Sequence, residues 1–304
     1  MVVVKYENFE RFSIVGRSIY IAGWARDADP HLYYAGRRVE MITTPVERHD
    51  VAVAFDDPTA SKWGFECVGL LPTDRIDRSL LAFGFRLGEI VYDPARDKIP
   101  MEDCAYQAMQ DRFIAMVNES QGSLLEIGSR ARSGNSYRSW FPDNIEYVGL
   151  DVSAGENVDV VGDAHDMPIQ RQFDHAFSIS VFEHLLMPWK VALELNRCLK
   201  LGGTAFIASH GSFPLHDEPW DFWRFSKEAW GGLFNAHTGF EVLDAQYRYP
   251  ASIVPRFVSD GGFETMNLAP AYLTSGCLVR KTGNRKVEWA AAVSEVYDLR
   301  YSHG

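Results

Sequence analysis

The sequence predicts a doubly wound α/β domain with a mostly parallel sheet, preceded by a small all-β, sandwich-like module. Three observations carry this. After about residue 101, near-continuous apolar runs of strand length alternate with helical stretches, the pattern of a parallel sheet covered on both faces. Before residue 93, short apolar runs follow one another with only turn residues between them. Between the two lies Asp93-Pro94-Ala95-Arg96-Asp97, with Pro100 opening the next element. The expected domains are residues 1–98 and 99–304.

In the first part the runs are Ile19-Tyr20-Ile21-Ala22-Gly23-Trp24, Arg38-Val39-Glu40-Met41-Ile42, Val51-Ala52-Val53-Ala54-Phe55 and Phe65-Glu66-Cys67-Val68-Gly69-Leu70. All four read as strands. None gathers His, Cys or paired carboxylates, so no catalytic site is expected there. Over residues 101–119 the period changes: Tyr106, Met109, Phe113 and Val117 recur at helical spacing. Strands are expected at residues 123–128, 147–151, 159–162, 173–180 and 204–209. Helices are expected at 190–200, closed by Leu201-Gly202-Gly203, and at 226–236. A final antiparallel strand is expected at residues 272–279.

Of the 304 residues, 46% are hydrophobic and 23% charged, the balance of an ordinary globular chain. The net charge of −11 argues against a nucleic-acid partner held through its phosphates. Four scattered cysteines with no Cys-x-x-Cys pair supply neither a zinc nor a disulfide framework. The N-terminus lacks the apolar stretch of a signal peptide, and no window approaches the ~18 apolar residues of a membrane span. The expectation is a cytoplasmic protein with no membrane span.

Five motifs carry chemistry. Leu124-Leu125-Glu126-Ile127-Gly128-Ser129-Arg130 runs a strand into a Gly turn, where a following helix would leave free amides at the sheet's carboxyl edge. Glu126 there suits an ammonium group, although a plain turn reads the same way. Tyr147-Val148-Gly149-Leu150-Asp151 ends the next strand on an acid, where nucleoside-binding sheets grip a ribose diol. Val160-Val161-Gly162-Asp163-Ala164 offers an acceptor for an adenine amine beside a small residue; Asp163 reads equally as the cap of a turn. Ser178-Ile179-Ser180-Val181-Phe182-Glu183-His184 opens a buried strand into a loop, and Leu199-Lys200-Leu201-Gly202-Gly203 stops the next helix.

In order and spacing these five resemble the class I S-adenosylmethionine-dependent methyltransferases. The similarity is greatest to the small-molecule group whose loop after strand four reads Glu-His and whose next helix ends Leu-Lys-x-Gly-Gly. It covers residues 123–245 and implies a seven-stranded Rossmann-like sheet with S-adenosylmethionine as cofactor. It further implies that Glu126 and Gly128 lie by the methionine tail, Asp151 at the ribose, Asp163 and Ala164 at the adenine, and Ser180 and Val181 near the sulfonium. Ser129 and Val152 complete the implied cofactor contacts. Where the family often has further glycines this chain has Arg130 and Arg132, a departure that also disfavours a dinucleotide fold.

The amino-methylating Asn/Asp-Pro-Pro-aromatic signature is absent after strand four, which with the acidic charge favours a small-molecule or saccharide acceptor. Residues 210–225, His-Gly-Ser-Phe-Pro-Leu-His-Asp-Glu-Pro-Trp-Asp-Phe-Trp-Arg-Phe, should wall the same edge. Their flavour resembles methyltransferases of bacterial surface-polysaccharide pathways. Aromatics beside charged groups suit a sugar, so Asp217, Trp220 and Arg224 are read as substrate contacts; Trp220, Phe222 and Trp223 serve equally to plug the loop onto the core. His216 and His210, then His184, are the expected general bases for a hydroxyl acceptor, with Asp217 fixing the His216 tautomer; His184 reads at least as well as a brace for its loop. The spacing of His210, His216, Asp217 and Asp221 matches no standard ligand pattern, so no metal is expected. The competing reading is a non-catalytic binding protein with a degenerate methyltransferase domain and a β module that docks a partner, kept open by Arg130 and Arg132.

Overall fold

In a computed structural model of the protein, contacts group the chain into two units: Met1–Glu102 with Ala251–Pro270, and Asp103–Pro250 with Ala271–Gly304. The structure describes residues 7–15, 17–26, 29–73, 77, 80–84, 104–132, 134, 136–251, 253–254 and 269–297. The boundary expected at residues 93–100, like Met101, Ser133 and Asn135, lies outside them.

The first unit contains β1 (Glu7–Val15), β2 (Ser18–Ala25), β3 (His31–Tyr34), β4 (Arg37–Val39), β5 (Met41–Val46), α1 (His49–Phe55), β6 (Gly64–Leu70) and β7 (Leu81–Gly84). Antiparallel pairing gives one sheet of order β1-β2-β6-β5 and another of order β4-β3-β7. Alternate residues of both sheets, among them Ile19, Ile21, Phe65 and Cys67 from the first and Leu32, Leu81 and Phe83 from the second, share one core. The unit is not all-β. Residues 51–55, expected as a strand, form α1, and a 3-10 turn at Pro58–Trp63 follows. A strand would bury positions 51, 53 and 55 together, yet Val53 is 82% exposed. Val51, Ala52 and Phe55 instead share a helical face packed on Trp24 and Trp63.

In the second unit the elements are α2 (Cys104–Ser120), β8 (Ser123–Ile127), β9 (Glu146–Asp151), β10 (Val160–Val161), β11 (Phe173–Ile179), α3 (Pro188–Cys198), β12 (Leu199–His210), α4 (Ala229–Leu233), β13 (Phe240–Ala251), β14 (Ala271–Lys281) and α5 (Val293–Val296). One seven-stranded sheet has the order β10-β9-β8-β11-β12-β14-β13. Its first five strands are parallel, and β14 runs antiparallel to β12, as the 272–279 expectation required. Adjacent residues point to opposite cores. Leu124, Phe177, Phe206 and Leu278 meet Tyr106, Met109, Phe113 and Val117 of α2 on one face. Leu125, Ala176, Ile207 and Cys277 meet Val191, Ala192 and Leu195 of α3 on the other. That alternation is why the strands read as continuous apolar runs.

Two helical expectations fail. No α-helix follows the Gly128 turn among the described residues; a 3-10 turn at Tyr137–Trp140, capped by Ser136, stands there. Tyr137, Trp140 and Phe141 pack their rings on Phe177, so three aromatics cover the face a helix would have covered. The helix expected at 226–236 is reduced to Ala229–Leu233, because Gly231 and Gly232 weaken it and Asn235 accepts the role of C-terminal cap, donating to both glycine carbonyls. At the end of α3, the Lys281 ammonium donates to the carbonyls of Asn196 (2.7 Å) and Leu199 (2.8 Å), closing orphan acceptors at the negative end of the helix dipole.

Candidate active site

The parallel strands end on one edge, and there a cleft of about 610 Å³, partly open to solvent, is framed by β8, β9, β10 and the loop after β11. Its walls are Ile127, Leu150, Val152, Ala164, Val181 and Leu185, and two carboxylates, Asp151 and Asp163, face it. Gly128 has φ +85°, and a Cβ there would stand 2.1 Å from Val181 Cγ2. Glycine is therefore required by both backbone and neighbour.

The turn after β8 does not present free amides. Gly128 N and Ser129 N both donate to the Leu150 carbonyl, at 2.8 and 3.1 Å. Asp151 accepts from Arg130 N (3.3 Å) on one oxygen and Ser153 N (3.0 Å) on the other, which fixes the carboxylate and leaves each oxygen a further lone pair. Glu126 is not among the residues lining the cleft. It is buried, accepting from the Tyr147 hydroxyl and from Asn157 Nδ2 (2.9 Å), and burial raises its carboxyl above the ordinary value. Ser180 takes a left-handed conformation, φ +54°, at the end of β11. Asp163 caps a 3-10 turn, Ala164–Asp166, while still facing the cleft, so both readings of that residue hold. Sequence reasoning missed His165. Met187 N donates to its Nε2 (3.2 Å), so the proton sits on Nδ1 and is given to Asp163 Oδ1 at 2.6 Å. Burial raises the Asp163 carboxyl, but these His165 contacts outweigh it and hold it below its usual range.

Beside the cleft the loop after β11 meets the loop after β12. The backbone amides of Phe222 and Trp223 donate to the Glu183 carbonyl, at 2.8 and 3.1 Å, and tie the two together. Glu183 has no exposed surface; its Oε2 accepts from Ser209 Oγ at 2.5 Å. Its Oε1 lies 3.0 Å from His210 Nδ1 and 3.9 Å from His184 Nε2. Burial pushes the carboxyl up, and the His210 ring and Ser209 hydroxyl more than offset it, leaving Glu183 below its ordinary value. The ring of His216 packs edge-on against those of His184 and His210, with centroids 4.9 and 4.7 Å away. All three histidines expected as bases are thus gathered around one buried carboxylate. His184 also lines the cleft.

The substrate-contact expectations change. Asp217 pairs with Arg132 at 2.9 Å, and the carboxylate next to His216 is that of Asp221, which accepts from His216 N (2.9 Å) and lies 3.4 Å from its Nδ1. Arg224 holds Asp221 with a two-pronged contact of 2.5 and 2.7 Å and donates to the Phe213 and Pro214 carbonyls, each at 3.0 Å. That fork holds the Asp221 carboxyl well below the usual carboxylate range. Arg224 is therefore spent on shaping the loop, and Trp220 contributes its carbonyl, accepting from His184 Nδ1 at 2.5 Å. Glu183 and Asp221 are the cluster residues that sequence spacing passed over; the adjacent Glu183-His184 pair was the available signal.

No curated protein matches the chain in sequence. Among solved structures it is similar to a 1,6-didemethyltoxoflavin-N1-methyltransferase from Burkholderia thailandensis, itself bound to 1,6-didemethyltoxoflavin and S-adenosylhomocysteine. That pair is 15% identical over 60% of this chain and 80% of the other, with a TM-score of 0.41. It is also similar to an S-adenosylmethionine-dependent methyltransferase from Aquifex aeolicus, 15% identical over 62% of this chain and 94% of the other, TM-score 0.40. Residues 125–207 match the family model described as a methyltransferase domain. Those residues run from β8 into β12 and carry the walls of the cleft together with Glu183 and His184.

Proposed function

We propose that the protein transfers a methyl group from S-adenosylmethionine to a hydroxyl oxygen of a saccharide or related small molecule. One observation carries the reading: a cleft with two carboxylates and apolar walls adjoins a cluster of three histidines on a buried glutamate, with His184 in both. The cleft fits the cofactor. Asp151, pinned through two amides, accepts from a ribose diol, and Asp163 and Ala164 border a flat ring. S-adenosylmethionine supplies an electrophilic methyl on a sulfonium. The chain supplies position, the larger part of the acceleration in a displacement of this kind, and a place for the hydroxyl proton. His216 is the first candidate to take it, because its Nε2 is buried with no hydrogen-bond partner and its Nδ1 faces Asp221 and the Pro214 carbonyl. Half-exposed Phe213 and Trp223 on the same loop offer flat apolar faces for a sugar.

Incubation with methyl-labelled S-adenosylmethionine and a panel of saccharides, read by product NMR, tests this. A labelled methyl ether is expected, with His216→Ala lowering turnover by about 10²–10⁴ at unchanged cofactor affinity. Label on nitrogen would overturn the acceptor assignment. A preserved kcat with a raised KM would make His216 a binding residue.

A further inference from the structure

The histidine cluster has an electrostatic problem that a proton acceptor alone does not solve. His184 Nδ1 stands 2.5 Å from the Trp220 carbonyl, so its proton is there and its Nε2 carries a lone pair. His216 Nδ1 faces two acceptors, the Pro214 carbonyl at 3.2 Å and Asp221 Oδ2 at 3.4 Å, so its Nε2 also carries a lone pair. That Nε2 is buried without a hydrogen-bond partner, and so is Oε1 of the fully buried Glu183. Glu183, His184 and His216 offer ligand atoms that lie within 4.8 Å of one another. Unshared electron pairs converging in a buried place repel unless a cation stands among them.

We propose that Glu183, His184 and His216 bind one divalent cation of the zinc class through Glu183 Oε1 and the two imidazole Nε2 atoms. Two imidazoles and one carboxylate are a zinc ligand set of the kind that keeps a further position open. Mg²⁺ and Ca²⁺ prefer all-oxygen shells and suit the site less. The outer contacts have the form that metal-bound histidines use: each ring gives its other N–H to a carbonyl or carboxylate. A four-coordinate zinc with bonds of about 2.0–2.1 Å sets its ligands roughly 3.3–3.5 Å apart, which His216 reaches by a small shift of its loop. His210, 3.0 Å from Oε1 but out of line for a hydrogen bond, stays beside the carboxylate outside the ligand set. Spacing along the chain hid the site because its ligands come from two loops. This inference rests on the methyl-transfer reading, since the open position would receive the acceptor hydroxyl; with the cation bound, His216 Nε2 is a ligand and no longer the proton acceptor, so its loss would lower turnover through the metal site.

The test is calorimetric titration of the chelator-stripped full chain with ZnCl₂, with Co²⁺ as a spectroscopic stand-in and S-adenosylmethionine titrated in parallel. One zinc per chain is expected, with visible Co²⁺ absorption in the range of nitrogen–oxygen coordination. Glu183→Gln and His216→Ala should each weaken zinc at least tenfold, whereas His237→Ala, at an exposed turn, should not. His216 lies on a loop, so its variant serves if the buried Glu183→Gln does not fold. Absence of stoichiometric zinc in a folded chain that still binds S-adenosylmethionine overturns this inference alone. Zinc affinity unchanged in His216→Ala overturns it as well, placing the metal elsewhere. Loss of both ligands in the wild type would overturn the methyl-transfer reading beneath it.

Discussion

Gly128 shows how one missing methyl group shapes a wall of the cleft. Its left-handed φ and the 2.1 Å approach of Val181 act together, so Gly128→Ala should cost about 1–3 kcal/mol in urea unfolding. Adding Val181→Ala should return part of the loss by removing the clash while the backbone strain remains; no recovery would mean that strain alone sets the cost. A second residue-scale expectation concerns His175, buried on β11, with Ser120 Oγ and Thr204 Oγ1 each 2.8 Å from its ring nitrogens. Burial depresses its pKa below 6.5. The unfolded chain then binds more protons than the folded one just below pH 6.5, so stability should fall as pH drops through that value. Denaturation midpoints at pH 7.5 and 5.5 check this: His175→Gln should lose less on acidification than the wild type. At this scale the sequence was partly readable. The placement of Asp151 and Asp163 at the cleft was readable, because each stands at the end of a short apolar run. Glu183 beside His216 did not, since no spacing along the chain encodes a meeting of two loops. Asp217 was mistaken for the partner of His216 because adjacency in sequence outweighed Asp221, five residues on, which the Arg224 fork turns inward.

The strands of the sheet were legible as elements, because burial on both faces leaves an unbroken apolar run. The helices were less so. Residues 51–55 alternate in hydrophobicity only by composition, and the exposure of Val53 shows the period to be helical. Gly231-Gly232 shortened a helix that periodicity alone extended to eleven residues. Lys281 had no signal at all: a lysine in an apolar strand ordinarily marks an exposed edge, yet here its ammonium is buried and closes the end of α3. Hydrogen bonds to a charged donor are worth about 1.5–3 kcal/mol. Lys281→Met should therefore destabilise the second unit by about 1–3 kcal/mol, while leaving the cleft's ligand affinity intact in the folded fraction. An unchanged unfolding midpoint would show that those carbonyls are satisfied without it.

For the whole molecule, the change in period near residue 100 predicts two domains; contacts also give two units, the first of them taking in Ala251–Pro270. The methyltransferase-like motifs all fall within the second. A chain beginning at Ile99 is accordingly expected to fold and bind S-adenosylmethionine; insoluble or cofactor-free protein would show the first unit to be integral to the site. No described helix is long and apolar enough to cross a membrane.

The cleft at the carboxyl edge of the sheet is expected to hold S-adenosylmethionine, with Asp151 as the ribose grip. Calorimetry of the full chain tests it most directly, comparing wild type with Asp151→Ala at matched folded content. Removing the charge-assisted bonds of that carboxylate is worth about 1.5–3 kcal/mol. The expected result is one-to-one binding by the wild type, weakened about 10- to 150-fold in Asp151→Ala with an unfolding midpoint nearly unchanged. A folded wild-type chain that gives no heat, or an Asp151→Ala variant that binds as tightly as its parent, would contradict it.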